Sequence, residues 1–174
     1  MDRVASHNLG NQIYRYQDLN KSKVEALSEI LHEINPDLDL RIHSEITPES
    51  RISGNIFLCI DNIDLRRTLV EGWLRNPHIR FVTDTRMRLT DGQVYTADWS
   101  SAVARNALLA SMQFTHEEAS ASTPVSACGT TLSVIYTPVA ISAFAVANFI
   151  EFVNLNQYSK FEQVDFSNHL VDFL

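Results

Sequence analysis

The stretch Asn55-Ile56-Phe57-Leu58-Cys59-Ile60-Asp61 decides the fold, because it is a short continuous apolar run that ends on a carboxylate. A strand that is apolar on both faces is typical of a parallel sheet covered by helices. The next segment, Asp64 to Leu74, predicts a helix with one apolar side, and Ile79 to Thr83 predict a second strand. A strand, a helix and a strand with short connections indicate a right-handed βαβ unit. Cys59 lies inside the first strand and is expected in the core.

The segments on either side of this unit predict an α/β sandwich with a mixed sheet. Before it, Lys21 to Ile34 predicts a helix with a buried apolar stripe, with Asp18 as its cap, and Leu38 to Ile42 predicts an alternating strand. After it, the predicted elements are a hairpin over 86–97 around the turn Thr90-Asp91-Gly92, a helix over 99–112, a surface loop over 120–131, an apolar helix from Pro138 to about Val153, and one or two strands in 158–174.

Composition narrows the possible functions. The chain has 174 residues, of which 45% are hydrophobic, which is enough for one domain with a core. A formal charge of -7 disfavours nucleic acid as a partner, because an acidic protein does not attract phosphate backbones. The two cysteines form no CxxC pair, so a zinc cage is not expected, and their wide spacing suits a reducing cytosol.

One uncharged segment, Thr130 to Ile150, is long enough to span a membrane. It contains several polar residues, and its most apolar part is only about three helical turns long. We therefore expect a buried core helix and no membrane association, with a membrane span as the alternative.

Three segments together carry a resemblance to a known family. They are Asp2-Arg3-Val4-Ala5-Ser6-His7-Asn8-Leu9-Gly10-Asn11-Gln12, then Asp18-Leu19-Asn20-Lys21-Ser22-Lys23 followed by Ile34-Asn35-Pro36, and last Cys59-Ile60-Asp61-Asn62-Ile63-Asp64-Leu65-Arg66. In this order they resemble the D-x-V-x-x-x-N-L-x-R-Q, D-[VI]-G-K-x-K, I-N-P and D-N-x-x-x-R motifs of the ThiF/MoeB family of ubiquitin-activating-like adenylyltransferases. The match is good over residues 2–67, weaker to about 153, and absent beyond.

The resemblance implies a fold and a chemistry. The fold is a Rossmann-like three-layer sandwich with a mixed sheet, expected to be incomplete at its amino-terminal end, because the family's glycine-rich loop and first strand precede the Asp2 region. The chemistry is adenylation of a carboxylate with ATP and Mg²⁺, usually on the terminal glycine of a ubiquitin-like protein or peptide. A cytoplasmic homodimer is implied. The chain is expected to be one domain, 1–174, in which 1–67 form the nucleotide-site half, 68–153 the rest of the sheet and the apolar helix, and 154–174 a tail.

The same resemblance assigns roles to individual residues. Asp2 would bind the ribose, Asn8 and Gln12 would hold phosphate oxygens or order their loop, and Lys23 would contact the phosphates. Asp61 would hold Mg²⁺ through a hard carboxylate oxygen. A further candidate is Cys128, the one candidate nucleophile, in a loop before a helix.

Each assignment has a simpler alternative. Asp61 is well placed to cap the following helix, and Lys23 to be a solvated helix charge. Asp2 sits where chain ends fray, Asn8 suits a turn, and Cys128 is equally well an incidental thiol. Two further features are assigned to no site: Arg66 and Arg67 are expected to be structural, and His116-Glu117-Glu118 to form a solvated loop.

Two departures from the family pattern leave catalysis open. Asn11 stands where the family has an arginine, and Arg15, one helical turn onward, is not expected to replace it. The glycine-rich loop does not precede Asp2 in this sequence, so we expect that the chain is truncated, that a second polypeptide supplies the loop, or that the protein does not catalyse. The alternative function is therefore a non-catalytic ThiF-like interaction domain or pseudoenzyme subunit. A Rossmann-like redox domain is disfavoured, because no G-x-G-x-x-G motif is present to seat a dinucleotide.

Overall fold

The structure is a computed structural model that describes residues 2–43, 45–121 and 134–174. It consists of two compact units, Met1–Ile46 and Thr47–Leu174, which are described separately.

The first unit is built around one helix. Two short 3-10 helices, Ser6–Gly10 and Tyr16–Asp18, precede α1, which spans Lys23–Ile34. Arg3 and Ser22 form an isolated antiparallel bridge that brings the start of the chain to the start of α1.

Three predictions for this unit are wrong. Asp18 does not cap α1, because it lies buried in the second 3-10 helix and Ser22 occupies the N-cap position. The apolar stripe of α1 is narrower than predicted, since Ala26 and Ile30 are buried but Val24 and Ile34 are exposed. The segment 38–42 forms no strand among the described residues. Alternation predicts a strand only where a neighbouring strand supplies hydrogen-bond partners.

The second unit contains a five-stranded mixed sheet in the order β1-β2-β3-β4-β5. Its strands are β1 Gly54–Leu58, β2 Ile79–Met87, β3 Asp91–Asp98, β4 Phe161–Asp165 and β5 Leu170–Phe173. β1 and β2 are parallel and connected by α2, Ile63–Trp73, which confirms the predicted strand-helix-strand unit. The other pairs are antiparallel, and β4 and β5 confirm the strands predicted for the tail.

Helices cover both faces of this sheet. On one face, α2 and α3 (Ala102–Ala110) pack with Val82 and Ala97 into the larger core. On the other, α5 (Tyr136–Leu155) packs on β2 and β3, with Ile141 in contact with the cluster around Val94. Phe81 also faces α5, since its ring stacks on that of Phe152 with the centroids 4.3 Å apart. These layers confirm the predicted sandwich.

The hairpin differs in register from its prediction. The predicted strand 79–83 and the first two residues of the predicted hairpin, 86 and 87, form the single strand β2, and Gly92 lies inside β3, paired with Met87. The turn is therefore residues 88–90, closed by the Arg88 amide, which donates to the Asp91 carbonyl over 2.8 Å. An Asp-Gly pair indicates that a turn is near but does not fix its register.

Two residues differ from their predicted environments, one predicted to lie in the core and the other in a solvated loop. Cys59 is exposed, because β1 ends at Leu58 and is an edge strand of the described sheet rather than a covered inner one. His116 begins a short helix, α4 (His116–Ala121), rather than lying in a solvated loop, and its backbone amide donates to Asp64.

The apolar helix is less buried than predicted. α5 begins two residues before Pro138, which sits in the first turn where no helix hydrogen bond is lost. Within the described residues, α5 is the one helix long and apolar enough to cross a membrane by length and composition, and only 22% of its most apolar window is buried. Only the side of α5 that faces the sheet is packed, so the helix predicted to lie in the core is buried on that side alone.

Candidate nucleotide site

Asn8 stabilises its loop through hydrogen bonds to its side chain and its carbonyl. Its side chain is buried, and its Oδ1 accepts a hydrogen bond from the Ala5 amide over 2.9 Å. The Gln12 amide donates to the Asn8 carbonyl, also over 2.9 Å. Of its two predicted roles, Asn8 therefore orders the loop here, and the exposed Gln12 side chain is the one available to a ligand.

Asp2 and Lys23 lie side by side. Lys23 Nζ is 2.5 Å from Asp2 Oδ2, and the Lys23 amide donates to the Asp2 carbonyl over 2.9 Å. The hydrogen bond from Lys23 holds the pKa of the Asp2 carboxyl below its usual range. The structure thus brings together Asp2 and Lys23, which the resemblance assigns to one ligand, and pairs their negative and positive groups.

Arg15 is committed to acidic partners. Its guanidinium lies 3.0 Å from the buried carboxylate of Asp18 and 2.5 Å from Glu33, and Glu29 is 3.7 Å away. The hydrogen bonds that Arg15 donates to Asp18 and Glu33 raise the pKa of Arg15, and those to Asp18 hold the pKa of the Asp18 carboxyl far below its usual range. A guanidinium held by three carboxylates is poorly placed to replace the family arginine lost at Asn11.

Asp61 follows β1 at the end of the sheet where the parallel strands finish. The N-cap of α2 is Asn62, whose Oδ1 accepts from the Leu65 amide over 3.0 Å. The alternative interpretation of Asp61 as the helix cap is therefore wrong. Asp61 is exposed, and among the described residues it forms no ion pair.

A buried charge network lies near the end of β2, where Asp84 pairs in register with Leu58 of β1, and the sequence patterns did not predict most of it. Asp84 is fully buried and accepts hydrogen bonds from Arg66 and from Arg86, the latter over 2.6 Å. Arg66 also donates to the Thr85 carbonyl over 2.6 Å. This confirms that Arg66 is structural. The sequence feature that could have predicted this network is the pair Asp84 and Arg86, a carboxylate and an arginine directly after a predicted strand.

Arg86 and Arg67 extend this network toward α3 and α4. Arg86 donates to the carbonyl and hydroxyl of Ser111, each over 2.8 Å, and its guanidinium lies 4.2 Å from the ring centre of Tyr95. Arg67 donates to Asp64 over 2.6 Å and to the Met112 carbonyl over 3.1 Å. Arg86 holds the end of α3 against the sheet and Arg67 holds it against α2, so Arg67 is structural as predicted.

The predicted site residues fall in both units. Asp2, Asn8, Gln12 and Lys23 belong to the first unit and Asp61 to the second. Cys128 lies outside the described residues. Across the described ranges, no three His, Cys, Asp or Glu side chains cluster as a metal cage. A single exposed carboxylate fits Mg²⁺, which is commonly bound by one or two carboxylates with water and substrate phosphates.

A mixed sheet between helix layers, with polar residues following its parallel strands, defines a Rossmann-like α/β protein. The ThiF family matches residues 1–173, and the chain belongs to this family. The fold is similar to that in the crystal structure of selenomethionine-labelled PaaA, with a TM-score of 0.70 and 12% sequence identity. That similarity covers 99% of this chain and 61% of the PaaA chain, so this chain spans under two thirds of its length. No curated protein sequence matches the chain.

Proposed function

We propose that the chain is the ThiF domain of an adenylyltransferase that uses ATP to activate a carboxylate. The carboxylate is that of the terminal glycine of a ubiquitin-like protein or peptide. The observation that carries this proposal is the position of Asp61. It is an exposed carboxylate directly after β1, at the end of the sheet where α/β proteins bind ligands, and it has no capping role.

The predicted site residues of both units have the charges that this chemistry needs. In the reaction, a substrate carboxylate oxygen forms a bond to the α-phosphorus of ATP, and the bond to the bridging oxygen of pyrophosphate breaks. Asp61 would hold Mg²⁺, which supplies charge stabilisation on the phosphates when bound. Lys23 would neutralise phosphate oxygens and Asp2 would bind the ribose. Asn8 fixes the loop that presents Gln12.

Calorimetric titration with ATP and Mg²⁺ tests this proposal. We expect saturable, metal-dependent binding that is lost in Asp61→Ala and retained in Asp172→Ala, which removes another exposed carboxylate, on β5. Binding should be followed by pyrophosphate exchange when a peptide ending in glycine is added. A folded chain that binds no Mg·ATP contradicts the proposal.

A second candidate function is a non-catalytic ThiF-like interaction domain. The observation that favours it is the pair of residues Asn11 and Arg15: the first replaces the family arginine, and the second is already held by Asp18, Glu29 and Glu33. This function predicts Mg·ATP binding that is absent or is not followed by pyrophosphate exchange. An Asn11→Arg variant that gains exchange would identify Asn11 as the cause of inactivity.

We also propose that two copies of the chain pair in the cytosol through the outer side of α5. This side carries exposed Val139, Val146, Ile150 and Val153, with Glu151 as the one charged residue of the helix. Its neutral, apolar character disfavours a charged partner. Its opposite side is tied to the sheet, which disfavours insertion of the helix into a bilayer.

Sedimentation analysis tests this pairing. We expect a dimer that Val146→Glu converts to a monomer, while Val103→Glu, which changes an exposed valine of α3 on the other face of the sheet, leaves the dimer intact. A monomer that floats with lipid vesicles would contradict both the dimer and the cytosolic location.

A further inference from the structure

A cleft of about 630 Å³ lies at the end of the sheet opposite Asp61. It is formed where β2 begins, β3 ends and α2 and α5 finish, so all of its residues belong to the second unit. A volume of this size is in the range of sites for small organic molecules. Neither the family resemblance nor the proposed adenylation uses any residue of this cleft.

The floor of the cleft is apolar and held in place by the fold. Ile79, Trp99 and Phe152 line it and are buried. The Trp99 indole donates to the Trp73 carbonyl over 3.1 Å, and the Trp99 amide donates to the Arg80 carbonyl over 2.9 Å. Because these bonds fix the floor, a ligand would meet a surface that needs little rearrangement.

The walls of the cleft are strongly basic. Among the residues that the structure describes, Arg75, Arg80 and Arg105 line it, and Asp98 is the single acidic residue that does. Across residues 2–43, 45–121 and 134–174, none of these three arginines forms an ion pair, although Arg105 donates to the Trp99 carbonyl. Asp98 accepts from the Ser100 amide over 2.8 Å. The cleft thus carries a formal excess of two positive charges in a chain whose net charge is -7.

We propose that this cleft binds a small phosphorylated molecule with an apolar body. A phosphate monoester carries a charge of about -1.5 to -2 at pH 7, which matches the excess of positive charge, whereas one carboxylate does not. Guanidinium groups bind phosphate oxygens in a bidentate manner, and the buried floor accommodates an apolar group next to the phosphate. The acidic surface of the rest of the chain disfavours a polyanion such as nucleic acid.

The test uses phenyl phosphate, inorganic phosphate and benzoate as probes, titrated at constant ionic strength and followed by tryptophan fluorescence and calorimetry. We expect one phenyl phosphate per chain, with at least tenfold weaker binding of inorganic phosphate and of benzoate, because each lacks half of the recognised chemistry. Arg80→Gln and Arg75→Gln should each weaken phenyl phosphate at least tenfold. Both positions lie at the surface of the cleft, so the variants should fold normally.

Two controls make the outcome decisive. Arg88→Gln removes an exposed arginine at the other end of β2, and Lys23→Ala removes the predicted phosphate contact of the nucleotide site; neither should change phenyl phosphate affinity. Equal losses of phenyl phosphate affinity in Arg88→Gln and Arg80→Gln would show that the effect comes from net charge alone and would overturn the proposal. A loss in Lys23→Ala alone would assign the phosphate to the nucleotide site, and no saturable binding at all would also overturn it.

Discussion

Lys23 Nζ lies 2.5 Å from Asp2 Oδ2, so the two side chains assigned to opposite parts of a nucleotide are paired with each other. Asp2 is 73% exposed and Lys23 is 24% exposed, which makes this a surface pair. Surface pairs contribute little to folding, about 0–1 kcal/mol, so the pair is expected to add little stability, and its proposed role is to bind a ligand.

Lys23→Ala separates these two roles. We expect its free energy of unfolding in urea to change by less than about 1 kcal/mol, because the pair is at the surface. Its affinity for Mg·ATP should fall at least tenfold, because the proposed phosphate contact of Lys23 is lost. Lys160→Ala, which removes an exposed lysine of the second unit, should affect neither quantity. A large loss of stability with unchanged ATP affinity would make Lys23 purely structural.

Asp84→Ala should destabilise the protein far more than the loss of an exposed carboxylate does. It leaves the guanidinium groups of the buried Arg66 and the half-buried Arg86 without their shared partner, and removing one partner of a buried pair typically destabilises a protein by about 3–5 kcal/mol. Asp91→Ala breaks the surface pair with Arg88 and should change stability by at most about 1 kcal/mol. Urea unfolding of both variants measures the difference. Equal losses in the free energy of unfolding would show that burial does not increase the contribution of this network to stability.

Stability should depend on pH through Glu162, a buried residue of β4. Burial first, and then the charge of Glu151, raise the pKa of Glu162 from 4.5 to about 7. Below pH 4.5 the carboxyl is neutral in both the folded and unfolded states. Between pH 4.5 and 7 it ionises first in the unfolded state, so the free energy of unfolding falls as the pH rises and then levels off.

Glu162→Gln tests this dependence, because glutamine is neutral and still accepts a hydrogen bond from Asn148. We expect a flatter pH profile between 4.5 and 7 and a gain of about 1–3 kcal/mol at pH 8. Glu117→Gln, an exposed change on α4, should keep the original profile. An unchanged slope in Glu162→Gln would place the titrating group elsewhere.

Gly92→Ala should loosen α5 from the sheet. A Cβ atom at this position would lie 2.5 Å from Cγ1 and 2.7 Å from Cδ1 of Ile141, and 3.2 Å from the Arg86 carbonyl oxygen. Overpacking of this kind destabilises a protein by about 1–3 kcal/mol. Thermal unfolding should show this loss, with part of it recovered in Gly92→Ala/Ile141→Ala. Gly10→Ala, with no atom within 4 Å of the added carbon, is the matched control.

The sequence by itself determined the family, the parallel strand-helix-strand unit and the order of most elements. These features depend on local patterns: the apolar run before Asp61, the helical spacing over 64–74 and the motif residues Asp2, Lys23 and Arg66. Such patterns depend on side-chain period and residue type, which the chain carries without any long-range contact.

Only the tertiary structure decided which side chains meet and which are covered. It exposed Cys59 because β1 is an edge strand, gave the cap of α2 to Asn62 rather than Asp61, and buried Asp84 between two arginines. It also gathered Arg75, Arg80 and Arg105 around one cleft. Burial and pairing depend on which distant segments pack together, and no local period encodes that choice.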